Sequence, residues 1–158
     1  MIIILVGRLG RAYICIMFSK TFGHALRAVT YVAIYGRDGT KVSLQTLSKS
    51  LHIPHPILGK VMQSLVRNGV LDSVKGPNGG FFINQNTLGT LLIEILKTTD
   101  GNLVFDKCAL GLKRCNPDHP CLLHPDFESC RNDLLKIFSK KTVLDLSKET
   151  EEKLIFIA

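Results

Sequence analysis

The sequence predicts a mainly α-helical fold that contains one small β-hairpin. Apolar residues recur at three- and four-residue spacing in several segments, which is the period of a helix with one buried face. A Gly-rich stretch lies between two short apolar runs, as in a hairpin. With 158 residues, of which 46% are hydrophobic and 21% charged, the chain has the size and composition of one globular domain.

The positive charge of the chain is concentrated in its N-terminal half. The full sequence carries 20 Lys and Arg against 13 Asp and Glu, a net charge of +7. Residues 1–83 contain ten of the cations and two of the acids, so they carry +8, whereas residues 84–158 carry −1. This asymmetry indicates a polyanionic partner for the first half, although a solvated basic surface would give the same count.

Several classes of protein are not indicated. No run of eighteen apolar residues is present, so we expect no membrane-spanning helix. Paired catalytic carboxylates, a Ser/His/Asp set and a dinucleotide fingerprint are not visible, so we expect neither an enzyme nor a small-molecule substrate.

The first sixteen residues stand apart from the rest. In MIIILVGRLGRAYICIM the apolar run precedes the positive charges, which is the reverse of the order in a secretory signal peptide. A second methionine, Met17, directly precedes the first segment with a helical period. We therefore expect residues 1–16 to be a start-site extension, with a membrane-surface anchor or a poorly packed arm as alternatives.

The segments after residue 17 predict a helix-turn-helix. A first helix is expected from Ser19 to about residue 35. Ser43 is of a type that caps helix N-termini and should begin a second helix. A third should begin near Pro56 and end at Asn68-Gly69. Two short helices joined by a tight turn, the second with outward polar residues, are typical of this motif.

A β-hairpin is expected next. Residues 70–74 and 81–83 are apolar runs on either side of Lys75-Gly76-Pro77-Asn78-Gly79-Gly80. This loop lacks the Gly-Lys-Ser/Thr ending of a nucleotide-binding loop and opens no helix, so we discount that function. A hairpin directly after a helix-turn-helix gives the winged variant, in which the loop reaches along a DNA groove. We therefore assign residues 17–85 to a winged helix-turn-helix.

The C-terminal half is expected to contain helices around a non-periodic loop. Thr87 should cap a helix, and the loop should run from Thr98 to His124. Loops of that length are unusual in a compact chain and are often functional. Pro125 should open a long helix with an apolar stripe formed by Phe127, Cys130, Leu134, Ile137 and Phe138. We assign residues 86–146 to this loop and to dimerisation helices, and residues 147–158 to a tail. From Thr142 to Ala158 we expect a short helix and a frayed end.

Three stretches resemble a known family. They are MFSKTFGHALRAVTYVA, LSKSLHIPHPILGKVMQSLVRNGVLDSVKGPNGGFFI and the cysteine-containing segment that ends in CLLH. From residue 17 to about 146 the chain is similar to the IscR/NsrR/RirA superfamily of bacterial winged-helix regulators, the Rrf2 family. The resemblance implies a homodimeric, cytoplasmic transcription regulator that binds a double-stranded DNA operator, and whose binding can depend on an iron–sulfur cluster.

For the DNA interface, we expect the third helix in the major groove and the hairpin at the minor groove or backbone. Gln reads adenine through a bidentate amide contact, and Lys reads guanine or holds phosphate. Relatives usually carry Arg in the wing where this chain has Lys75, so its minor-groove reading should be weaker. Each such residue would otherwise be a solvated polar group. The candidates are Lys20, Thr46, His55, Pro56, Lys60, Gln63, Ser64, Lys75, Gly76 and Pro77.

For the metal site, the sequence offers Cys108-x6-Cys115-x5-Cys121-x2-His124. Thiolates suit iron–sulfur centres, and His can replace Cys in their ligand sets. In the resembling family the three cysteines are cluster ligands, and Cys-x2-His resembles the IscR arrangement in which that His is the fourth ligand. The resulting set of three cysteines and one histidine favours [2Fe–2S] over [4Fe–4S].

Other interpretations of this segment stay open. Other members of the family use an acidic residue from the partner's first helix, but Gly23 at that position cannot coordinate, which leaves His24 as an outside candidate. Three cysteines and a histidine also suit zinc, although zinc ligands are usually more closely spaced. A metal-free thiol switch and a small electron carrier are further alternatives. We expect His119 to be a polar loop residue and Cys130 to be a core or interface thiol; Cys15 lies in the extension.

Overall fold

A computed structural model describes residues 3–6, 12–15, 18–101, 105 and 118–152 of the chain. The elements, in chain order, are β1 (Ile3–Val6), β2 (Ala12–Cys15), α1 (Lys20–Tyr35), α2 (Leu44–Leu51), α3 (His55–Arg67), β3 (Asp72–Val74), β4 (Gly80–Phe82), α4 (Gln85–Leu88), α5 (Leu92–Asp100), α6 (His124–Lys140) and α7 (Val143–Glu152). The predicted mainly α-helical fold, with a hairpin directly after the third helix, is confirmed.

A second hairpin lies at the beginning of the chain. Strands β1 and β2 pair antiparallel, with Ile3 opposite Cys15 and Val6 opposite Ala12. Strands were not among the expectations for residues 1–16. The proposal that residues 1–16 are a start-site extension is a separate question, which the pairing does not decide.

One face of each of the first three helices contributes most of the core, and residues of α5, of α7 and of the connecting segments complete it. On α1 the side chains of Phe22, Val29 and Val32 are at most 1% exposed. The small residues Ala25, Ala28 and Ala33 of the same helix are also fully buried. The buried residues of α3 are Leu58, Val61, Met62 and Leu65. Burial of this shared core is the main favourable term in the stability of the DNA-binding half.

Local signals fix the ends of these helices as predicted. The hydroxyl of Ser19 accepts a hydrogen bond from the backbone N–H of Phe22 at 3.1 Å, and that of Ser43 from Thr46 at 3.0 Å. The turn between α2 and α3 is made by His52, which adopts a left-handed conformation with φ of 52°. The hydroxyl of Ser48 closes this turn by donating to the carbonyl of Ile53 at 2.7 Å.

The prediction that Thr87 caps a helix is wrong. Asn84 is the cap of the short helix α4: its side chain accepts from the backbone N–H of Thr87 at 3.0 Å, while the Thr87 hydroxyl accepts from the Asn84 N–H at 2.7 Å. The longer helix α5 begins afterwards at Leu92. It continues to Asp100, so the expected start of the loop at Thr98 is also wrong by three residues.

The last helix packs against the first. Val143 and Ser147 of α7 are fully buried, and α7 is the short helix expected in the segment from Thr142. The Arg37 guanidinium donates to the Ser147 hydroxyl at 2.8 Å and lies 3.7 Å from a carboxylate oxygen of Glu151. These contacts hold the end of α1 against α7. None of the described helices has the length and apolar character that crossing a membrane requires.

Candidate DNA interface and cysteine segment

The wing, which consists of β3, β4 and the loop between them, is anchored to the rest of the fold. Ser73 lies opposite Phe81, and Val74 opposite Gly80, in an antiparallel pair. Phe81 also exchanges two backbone hydrogen bonds of 2.8 Å with Val42, the residue that precedes the α2 cap. The wing is therefore fixed to the start of the helix-turn-helix.

The glycines of the wing are required by its geometry. A Cβ atom on Gly79 would lie 2.2 Å from the carbonyl oxygen of Val74, and Gly76 has a φ of +115°. The backbone N–H of Gly79 donates to the Gly76 carbonyl at 2.9 Å, which closes a turn with Pro77 in its second position. These residues shape the tight tip of the β-hairpin that the sequence predicted.

The candidate DNA-contacting residues lie on accessible surface in most cases. On α3, Ser64 is half-buried and the other candidates are exposed, opposite the helix face that enters the core. Thr46 is exposed, and its hydroxyl lies 2.8 Å from that of Ser43. The exposed candidates are Lys20 at the start of α1, His55, Pro56, Lys60 and Gln63 on α3, and Lys75, Gly76 and Pro77 at the tip of the wing.

A cleft of about 590 Å³, here named the wing cleft, lies between α3, the wing and the start of α2. It brings together three of the predicted residues: Gln63, Lys75 and Gly76. Arg67 also lines it and was not predicted. Its spacing of four residues from Gln63 places both on one face of α3, and this was the signal that could have identified it. The residues that line the wing cleft are Ser43, Leu44, Gln63, Val66, Arg67, Ser73, Val74, Lys75, Gly76, Gly79, Gly80 and Phe81.

Two of the four predicted metal ligands can be placed. Cys121 is half-buried, and His124 is 9% exposed at the first residue of α6. The backbone N–H of His124 donates to the carbonyl of Cys121 at 3.0 Å, so one turn carries both side chains. Nε2 of His124 lies 3.9 Å from a carboxylate oxygen of Glu128. Cys108 and Cys115 lie outside the described residues.

The pairing of a thiol with an imidazole on this turn fits a metal centre by its chemistry. Cys121 is a free thiol, and both sulfur and imidazole nitrogen are donors that iron–sulfur centres and zinc accept. Within residues 18–101, 105 and 118–152 no cluster of three or more ligand side chains occurs. This agrees with the position of the other two predicted ligands, outside those ranges.

The other residues weighed for this site, His24, His119 and Cys130, lie outside that turn. His24 is half-buried on α1, and burial lowers the pKa of its imidazole, with further lowering by the charges of Arg27 and Lys20. His119 is exposed, and Cys130 is a free, half-buried thiol on α6.

Sequence comparison identifies relatives of this chain. Residues 18–149 match the Rrf2 family, which is described as iron-dependent transcriptional regulators. A protein of Aquifex aeolicus (strain VF5), assigned as an HTH-type transcriptional regulator, is 33% identical over 142 residues, covering 89% of this chain and 96% of that protein. The HTH-type transcriptional regulator IscR of Xenorhabdus nematophila is 23% identical over 128 residues, covering 81% of this chain and 77% of IscR.

Solved structures show the same fold. CymR of B. subtilis, described as the global cysteine regulator, matches with a TM-score of 0.70 at 16% identity, covering 84% of this chain and 97% of CymR. IscR of T. potens matches with a TM-score of 0.65 at 18% identity, covering 87% of this chain and 90% of IscR. These similarities confirm the predicted winged helix-turn-helix. Because the family match covers most of its length, the chain belongs to the Rrf2 family of transcriptional regulators.

Proposed function

We propose that this chain is a cytoplasmic, homodimeric regulator whose binding to a near-palindromic DNA operator is modulated by an iron–sulfur cluster. The cluster ligands in this proposal are Cys108, Cys115, Cys121 and His124. The observation that carries it is the turn at the start of α6, where the His124 N–H to Cys121 carbonyl bond joins a free thiol and a buried imidazole. An iron–sulfur cluster would supply a centre that responds to redox conditions and iron supply.

The DNA-binding part of the proposal is supported by the exposed face of α3. Lys60 and Gln63 are exposed there, and Gln63 and Lys75 both line the wing cleft. In this proposal Gln63 reads a base edge, and Lys75 holds a phosphate or reaches the minor groove. Lys20 is the first residue of α1, and Thr46 lies in the first turn of α2. We assign both to phosphate contacts.

The homodimer is supported by the apolar stripe of α6. From Phe127 to Ile137 its members are three and four residues apart in alternation, which is the spacing of a helix that pairs with another helix. Leu134 is buried within the chain, but Ile137 is 51% exposed, and Leu123, which directly precedes the helix, is 40% exposed. A second copy of α6 would cover these apolar side chains and set the spacing of two reading heads along DNA.

Contacts between α6 and α1 offer a route from the cysteine segment to the DNA-binding helices. The ring of Phe138 on α6 lies 5.3 Å from that of Phe18 and 5.6 Å from that of Phe22. Phe22 belongs to the core that also contains Leu58 and Leu65 of α3. A change in the position of α6 would therefore reach α3 through packed side chains.

Metal analysis after anaerobic purification tests the proposed ligand set. We expect brown protein with matched iron and sulfide, lost in Cys115→Ala and retained in Cys130→Ala, a control that removes a thiol outside the set. One zinc per chain and no colour would contradict the cluster. That outcome would support the second candidate function, a regulator with a structural zinc site, which the Cys-x2-His spacing at the start of α6 also suits.

Affinity for operator DNA tests the modulation. We expect the dissociation constants with and without cluster to differ by about 5- to 150-fold, which is the usual range of coupling between two sites. Cys121→Ser should bind like the cluster-free protein under both conditions. Equal affinities of the wild-type protein in both forms would contradict modulation and leave the DNA-binding function standing.

A further inference from the structure

The wing cleft is lined by Arg67 and by several apolar side chains, none of which was predicted to contact DNA. We propose that it seats the sugar–phosphate backbone of DNA, with the guanidinium of Arg67 holding a phosphate beside the base-reading face of α3. The inference rests on the DNA-binding part of the proposed function and is independent of any cluster.

Charge is the first argument. Arg67 and Lys75 line the cleft, and its lining contains no acidic side chain. Among the described residues neither cation forms an ion pair. The neighbouring acid, Asp72, does not line the cleft, and its carboxylate accepts a hydrogen bond from the Asn84 amide at 2.6 Å. Two cations without an acidic neighbour in the cleft complement a backbone that carries one negative charge per nucleotide.

The rest of the lining is the second argument. Leu44, Val66, Val74 and Phe81 contribute apolar surface, and Ser73 and Gln63 contribute polar groups. Deoxyribose is largely apolar between its charged phosphates, so a backbone segment matches a cleft with apolar walls and cations. The guanidinium of Arg presents a planar fork of donors that fits two phosphate oxygens at once.

The position of the cleft favours DNA over a free anionic metabolite. One wall is α3, which carries the exposed Lys60 and Gln63, and the other is the wing with Lys75 at its tip. Any molecule bound between these two DNA-facing elements would lie directly against the duplex. The hydrogen bonds between Val42 and Phe81 hold the wing in place, so the cleft exists before DNA arrives.

Salt dependence of binding to a fluorescein-labelled duplex of random sequence tests the role of Arg67, because phosphate contacts act on any sequence. Between about 50 and 200 mM salt, Arg67→Ala should reduce the slope of log affinity against log salt by about 0.9. Affinity should fall about tenfold, as for loss of one charge-assisted hydrogen bond. Arg67→Lys should keep most of the slope, because the point charge remains.

Two controls separate this effect from net charge and from folding. Lys148→Ala removes the same unit charge from an exposed position on α7, outside the cleft, and should leave the slope unchanged. A cation in the last turn of a helix also stabilises that helix, so urea unfolding of Arg67→Ala is measured beside the binding curves. A folded Arg67→Ala protein with the wild-type slope would overturn the inference, including the case in which the cleft binds a small anion instead.

The outcome is distinguishable from failure of the proposed function. If affinity for operator DNA proves independent of the cluster, the cluster proposal fails while the slope of Arg67→Ala still decides the role of the cleft. If the wild-type protein binds no duplex even at low salt, the DNA-binding assignment fails and this inference fails with it.

Discussion

Helices α3 and α6 carry apolar stripes of the same period but differ in how much of the stripe is buried. On α3 the residues Leu58, Val61 and Leu65 are 0–4% exposed. On α6 the stripe contains Leu134 at 8% and Ile137 at 51% exposure, with Cys130 half-buried between solvent and protein. The chain therefore buries the whole apolar stripe of α3 but only part of the stripe of α6.

The difference comes from what lies opposite each helix. Helix α3 is enclosed by α1, α2 and α5, whereas α6 packs mainly on α5, with Phe138 reaching α1. An apolar stripe of helical period thus predicts that one face of the helix is buried. It does not say whether the residues that bury this face belong to the same chain. For α6 the proposed cover is a second copy of the helix. The predictions that follow test this contrast in order of decreasing effect.

Truncation in the stripe of α3 should have the largest effect. Leu65→Ala opens a cavity in a fully buried position, so we expect the free energy of unfolding to fall by about 2–5 kcal/mol. Urea denaturation measures this change. A loss below about 1 kcal/mol would show that α3 is not enclosed as described.

A charge in the stripe of α6 should act on association instead. Ile137→Glu places a carboxylate where a second helix would pack, and we expect the dimer dissociation constant to rise at least about 100-fold, by analogy with the cost of burying an unpaired charge. Ser139→Glu, at an exposed position two residues further on, should leave association unchanged. Sedimentation of the three proteins over a range of concentrations gives the constants; equal values for all three would exclude this face as the dimer interface.

The link between α5 and α1 should contribute a smaller amount. The carboxylate of Asp100 accepts from the backbone N–H of Ser19 at 2.8 Å and from its hydroxyl at 2.5 Å, which joins the end of α5 to the start of α1. Asp100→Ala should lower the free energy of unfolding by about 1–2 kcal/mol. Asp133→Ala removes an exposed carboxylate paired with Lys136 on α6, and should cost less than about 0.5 kcal/mol in the same urea titration.

The smallest expected effect is a pH dependence at the start of α7. Hydrogen bonds from the backbone N–H and the hydroxyl of Thr142 lower the pKa of Asp145, with smaller contributions from Lys141 and Lys148. A lowered folded-state pKa stabilises the fold above the unfolded value of about 3.9, and this stability is lost as pH falls through the folded pKa. Asp145→Asn should flatten the acid side of the stability curve measured by urea unfolding. An unchanged curve would argue against the Thr142 contacts.

The helix-turn-helix was predictable because its signals are local. Ser19 and Ser43 cap helices within three residues of themselves, and the glycines of the wing are demanded by a turn that they form together. The wrong prediction at Thr87 has a local cause as well. Asn84 and Thr87 are both capping residue types and bond to each other, so the sequence does not distinguish the cap from its partner.

Other features depend on tertiary position and escaped prediction. Helix α7 buries Ser147 and Thr150, whose polar character hid the contact face from a search for apolar periodicity. In the sequence Arg67 is an ordinary cation at the end of a helix. It lines a cleft only because the bridge between Val42 and Phe81 holds the wing beside α3. The ligand roles of Cys108, Cys115, Cys121 and His124 all remain predictions, and the first two residues lie outside the described ranges.

The bridge between Val42 and Phe81 also has a consequence for the thermodynamics of recognition. A wing that already holds its shape has little conformational entropy left to lose when it meets the duplex. The cation of the wing, Lys75, can then contact DNA without a loss of conformational entropy from ordering the hairpin. Binding also does not have to wait for the hairpin to fold. We would therefore expect the backbone amides of Val42 and Phe81, which donate across the bridge, to exchange slowly with solvent in the protein without DNA.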